Sequence, residues 1–175
     1  MFYWRDADGT SGKWVKKDGR TIIDVAPGEA TFQTGDALWW QKEIDGLALQ
    51  FAGEVIQDKT EVALPLANQA VGNMMATPVD LTAIKVSGYT GASSDKVTVQ
   101  IIDEMGNTEK DASGKSKMFY WRDSDGTNGN WIKKDGRTII PVAVGDIVLN
   151  PGEGIWVQNN ETATAYKLVF PAPAL

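Results

Sequence analysis

A chain of 175 residues is long enough for one sizeable domain or two small ones, and 42% hydrophobic against 23% charged residues is the composition of a folded chain. The net charge of −6 argues against a nucleic-acid partner, because phosphate binding needs clustered Lys and Arg. There is no Cys and no His, which removes disulfides, thiolate metal sites, the usual zinc ligand and the usual general base together.

No apolar run approaches the length of a membrane span, so membrane insertion is not expected, and no signal-peptide pattern follows Met1. Seven Trp, five Phe and four Tyr offer large side chains for burial, while 18 Gly and 7 Pro supply turns. That combination predicts an all-β protein of short strands and tight connections.

In chain order, Phe2 to Arg5 is a β-prone aromatic run that ends in the turn-rich cluster from Asp6 to Gly12. Two β-prone runs then flank Asp18-Gly19, a strong hairpin signal. With Asp18-Gly19 as the two-residue loop, Lys17 would face Arg20, Val15 would face Ile22 and Trp14 would face Ile23. Two more strands are expected near residues 30–33 and 38–41, and another over 47–51. In the middle of the chain, residues 59–66 alternate with Val62, Leu64 and Leu66 on one side, and Pro65 marks an edge strand. Thr77-Pro78 resembles a short helix start with Thr77 as cap and Asp80 in the first turn. Residues 96–103 alternate cleanly and predict a strand. Residues 111–117 read as a flexible polar connection.

From residue 118 the chain restates itself. Residues 118–143 match residues 1–26 at an offset of 117, differing only at positions 7, 11, 13, 15 and 24 of the first copy, and a looser match runs on to Gln41 and Gln158. In the second copy, Trp131 would face Ile140 and Ile132 would face Ile139. A repeat so widely spaced points to two copies of one small β unit around a different segment. The expected fold is all-β, with duplicated antiparallel meanders, sandwich or barrel-like, and at most one short helix. The expected blocks are residues 1–57, 58–117 and 118–175. Closure of both blocks on the central segment is the favoured arrangement, since sheets usually cover their edges; the other leaves the first block with an open surface and edge.

The phrase from Pro151 to Val157, and more loosely Thr34 to Trp40, resembles the Gly-x-Gly-Phe-Trp-Val strand phrase of β-rich repeat modules in secreted and cell-surface bacterial proteins. Residues 71–81 are similar to the Val-Gly-Asn-Pro phrase that opens such modules, departing where Met74 stands for proline; Ile155 likewise stands for an aromatic. The resemblance covers residues 64–170 and implies a non-catalytic extracellular or cell-surface module.

Candidate sites are few. Asp6, Asp8, Asp123 and Asp125 have calcium-loop spacing, but an EF-hand starting at Asp6 would need Gly where Ser11 stands and Glu where Lys17 stands. A polar turn is the better reading, and no metal or cofactor is implied. Trp40, Tyr3 and Tyr120 are the candidates for stacking on a sugar. No nucleophile elbow, phosphate loop or dinucleotide fingerprint is present, so an enzyme is not expected. The expectation is a structural or adhesive module with a protein partner or self-association through sheet edges, or alternatively a glycan-binding module.

Overall fold

The structure is a computed structural model that describes residues 2–6, 12–31, 57–64, 68–73, 75–102, 107–160 and 166–173. The chain falls into two compact units, Met1–Gln33 and Thr34–Leu175. Both are antiparallel β, with one 3-10 turn as the only helical element among the described residues. Among the described residues no sheet closes into a barrel. The all-β class expected from composition and turn content is therefore the class observed.

The first unit is a three-stranded meander, β1 (Phe2–Arg5), β2 (Lys13–Asp18) and β3 (Thr21–Asp24), with β2 in the middle. The hairpin lies at the expected place but its register differs. Asp18 pairs with Thr21, Lys17 with Ile22, Lys16 with Ile23 and Val15 with Asp24, so the two-residue loop is Gly19-Arg20. Of the two, only Gly19 has a positive φ, 57°. A glycine in the first central position suits a II′ turn, whereas an Asp18-Gly19 loop would be of the I′ type, which needs positive φ at both. Because side chains alternate, Phe2, Trp4, Trp14, Lys16 and Ile23 share one face. Tyr3, Lys13, Val15, Lys17 and Asp24 share the other.

The second unit contains β4 (Thr60–Ala63), β5 (Asn68–Gly72), β6 (Val79–Asp80), the 3-10 turn (Leu81–Ala83), β7 (Lys85–Ser87) and β8 (Ser93–Ile102). It continues with β9 (Met118–Asp123), β10 (Asn130–Asp135), β11 (Thr138–Pro141), β12 (Val148–Leu149), β13 (Gly154–Asn159) and β14 (Lys167–Phe170). Six strands form the sheet β11-β10-β9-β8-β13-β5, three form β4-β14-β7, and β6 pairs with β12. Val97 and Val99 of β8, Trp121 of β9 and Ile155 of β13 meet Val86 of β7 and Leu168 and Phe170 of β14 in one buried cluster. Two sheets sharing a core is the sandwich solution to burying one face of each.

Among the described residues, the strands of the six-stranded sheet come from the central segment and the second block. A strand has two edges, and those of β8 are taken by β9 and β13. The second hairpin repeats the register of the first: Asp135 pairs with Thr138, Lys133 faces Ile140 and Ile132 faces Pro141. Gly136 takes the place of Gly19, with φ of 58°.

Three local features settle the central segment. Residues 79–80 pair with β12, so the helical turn begins only at Leu81 and its cap is Asp80 instead of Thr77. The Asp80 carboxylate accepts the Thr82 amide at 2.8 Å, the Thr82 hydroxyl at 2.6 Å and the Gly145 amide. Residues 111–117, expected to be a flexible connection, close a hairpin in which Lys110 bridges Ser116. There Asp111 accepts the amides of Ser113 and Lys115. Asn73, buried, donates to the carbonyls of Leu149 at 2.8 Å and Thr77 at 3.1 Å, and accepts the Met75 amide at 2.9 Å.

Two predictions follow from these caps. Replacing Asn73 with Ala leaves a buried carbonyl and amide without partners, and unfolding in urea will show a loss of at least about 2 kcal/mol. Burial pulls the Asp80 carboxyl upward, but hydrogen bonds from Thr82 and Gly145 outweigh it and hold the group below its ordinary value. Its contribution is thus present above the unfolded carboxylate value of about 3.9 and is lost as pH falls through the lower folded value. Asp80→Ala will be less stable than the parent by about 1 kcal/mol at neutral pH, and denaturant titrations will show that gap closing in acid.

Candidate functional site

The geometry of the second block is set by two tryptophans. Trp121 on β9 lies directly opposite Trp131 on β10, with ring centroids 5.3 Å apart and planes at 69°, the edge-to-face arrangement that aromatic quadrupoles favour. Gly129 makes room: a Cβ there would fall inside the Trp121 indole. Both indole N–H groups find acceptors in the central segment. Trp131 Nε1 donates to the Ile84 carbonyl at 2.7 Å, and Trp121 Nε1 donates to the Tyr89 hydroxyl at 2.8 Å.

Tyr89 passes the chain on, donating to Asp123 Oδ2 at 2.7 Å. The other oxygen of Asp123 accepts the amides of Asp125 at 3.1 Å and Gly126 at 2.7 Å. Tyr89, Trp121, Asp123 and Gly126 line a cleft of about 500 Å³ with Lys85, Thr127 and Asn128. Burial, with the Asp123 carboxylate beside it, pushes the Tyr89 hydroxyl up to about 12, so it stays protonated and is no base at neutral pH. Both Asp123 oxygens are engaged in building the loop. Asp125 is likewise occupied, by the side chain and amide of Asn128 and by those of Thr127, which hold its carboxyl well below the usual range. Among the described residues no group of three or more acidic side chains is arranged around a metal ion.

The first unit repeats this internal geometry. Trp4 lies opposite Trp14 at 5.5 Å and 68°, and a Cβ at Gly12 would fall inside Trp4 as one at Gly129 would inside Trp121. Lys17 lies 5.1 Å over the Tyr3 ring as Lys134 lies 4.2 Å over Tyr120. The ion pair of Lys16 with Glu29 corresponds to that of Lys133 with Asp146. What differs is cover. Phe119 and Trp121 are 4% and 2% exposed, whereas their equivalents Phe2 and Trp4 are 45% and 51% exposed. Within the first unit no described residue plays the part of Tyr89 or of the Ile84 carbonyl. Among the described residues β1 is also the edge of its sheet, whereas β9 has β8 along that side. Covering Phe2 and Trp4 as their equivalents are covered would remove on the order of 200 Å² of apolar surface from water, about 5 kcal/mol.

The substitutions between the copies respect this face. Lys13, Val15 and Asp24, the three strand positions that differ, all lie on the opposite side, and the other two differences fall outside the described residues. Phe2, Trp4, Trp14, Lys16 and Ile23 are identical in the two blocks. The candidate site is therefore the aromatic face of β1 and β2 with the outer edge of β1.

Of the residues singled out in the sequence, Tyr3 is on the unit's other face and its ring is capped by Lys17. Tyr120 is half-buried beneath Lys134, which also pairs with Asp95 at 2.8 Å. Asp6 is exposed, and Asp123 and Asp125 hold their loop. Trp40 and Asp8 lie outside the described residues, as do the strands expected at 38–41 and 47–51. Phe2, which shares the exposed face with Trp4, was not singled out; alternation along the run separates both from Tyr3. No protein-family model, curated protein or solved structure matches the chain.

The difference in cover yields a paired test. Gly129→Ala must displace a buried indole and will cost about 1–3 kcal/mol, while Gly12→Ala lets a half-exposed indole swing aside. Hydrogen exchange on each variant will show the protection of residues 118–135 falling in the first and that of 2–18 nearly unchanged in the second.

Proposed function

We propose that the protein is a non-catalytic structural or adhesive β module that associates with protein through the aromatic face and open edge of its first block. The observation that carries this reading is one sequence block folded twice, with its aromatic face sealed in one copy and open to solvent in the other. Contiguous exposed apolar surface marks an interaction site more often than chance exposure does, and an unpaired strand is a template for strand addition. The phrases that resemble repeat modules of bacterial surface proteins support an extracellular, cell-surface setting. Self-assembly into arrays or filaments is one form such association takes.

Light scattering on the full chain across a wide concentration range tests the reading. The expected result is a mass that grows with concentration, as copies stack their open aromatic faces without exchanging residues 79–102, and a smaller growth for Phe2→Asp. A mass that stays monomeric, together with binding on a glycan array that Trp4→Ala abolishes, would transfer the exposed aromatics to the carbohydrate-binding alternative.

A further inference from the structure

The second block displays, in the same molecule, what completes the surface left open in the first. Residues 79–102 act on it in two ways. β8 pairs along β9, with Thr98 opposite Tyr120 and Val99 opposite Phe119. The stretch between the 3-10 turn and Tyr89 covers the tryptophan face and supplies the Ile84 carbonyl and Tyr89 hydroxyl to the two indoles. The first block has the same five side chains on that face, the same tryptophan pair and an open edge. The chain's own residues 79–102 are committed, because both edges of β8 are occupied. A second copy would have to surrender its own block to donate them, gaining no contacts by the exchange.

We propose that the face bearing Phe2, Trp4 and Trp14 is the docking site for a partner polypeptide presenting an uncommitted segment with the chemistry of residues 79–102. That segment sets a Val opposite Phe2 and a Thr opposite Tyr3 in an antiparallel strand along β1. Ahead of the strand it carries a phenol hydroxyl for the Trp4 indole and a backbone carbonyl for that of Trp14. The proposal rests on the reading of the first block as an association surface, and names what occupies it.

The probe is a fluorescently labelled synthetic peptide of residues 79–102, titrated with the full chain and followed by anisotropy and hydrogen exchange. The expected result is saturable binding in which amides of residues 2–5 gain protection while those of 118–123 do not change. Phe2→Asp and Trp4→Ala will weaken it at least about tenfold, whereas Ile22→Asp, on the opposite face, will leave it unaltered. A peptide carrying Val97→Asp and Val99→Asp will not bind. Because the exchange pattern of the unsubstituted chain stands without any variant, misfolding of Phe2→Asp would not rescue the proposal. Absence of binding, or protection gained at 118–123 instead, would overturn it. If the peptide fails to bind and the chain still self-associates in a Phe2-dependent way, the association surface stands and its occupant is a second copy.

Discussion

Two buried indole N–H groups govern the second unit. Leaving either without an acceptor costs about 1–3 kcal/mol, and both acceptors come from far back in the chain, the Ile84 carbonyl 47 residues before Trp131 and the Tyr89 hydroxyl 32 residues before Trp121. The requirement fixes where the stretch between the 3-10 turn and β8 must lie. With Tyr89 held there, Asp123 has its partner, and the loop from Asp123 to Asn128 can wind around a carboxylate. β8 then has little choice but to run beside β9. The block of residues 118–143 is thus only half a structure in itself.

In a chain with no cysteine and no histidine, side-chain hydrogen bonds to backbone amides take over the fastening of loops. Asp80, Asp111, Asp123 and Asp125 each spend carboxylate oxygens on amides two to four residues ahead. This is why Asp123 and Asp125, at calcium-loop spacing, serve here as turn-formers: their oxygens are already directed at the backbone. It also shapes the cleft beside Tyr89. Its one perturbed hydroxyl is held protonated between a donor and an acceptor.

Much of the fold was legible in the sequence because it depends on local pattern. The all-β class, the duplication, β8 and the Gly-centred hairpins can be read from alternation and turn residues. The hairpin register could not, since Asp18-Gly19-Arg20 satisfies two neighbouring turn types and only Arg20's backbone decides between them. The cap moved from Thr77 to Asp80 because β12, nearly 70 residues away, claims Val79 and Asp80 as a strand. The candidate site was less legible still. Phe2 and Phe119 belong to identical local sequences, so nothing in those sequences distinguishes a core residue from a surface one; the distinction lies in a segment that flanks one copy. Tyr89, a lone tyrosine between glycines, gave no signal of the indole it would accept.

The cover supplied by residues 79–102 has a consequence of simple counting. Among the described residues each chain carries two blocks and one segment able to seal a block. A pair, a ring or a row of identical chains inherits the same ratio, whatever exchanges take place within it, and so retains one unsealed block for every member. The shortfall is a property of the ratio of parts and not of any particular packing. Assembly that consumes it therefore draws on a component in which segments outnumber blocks.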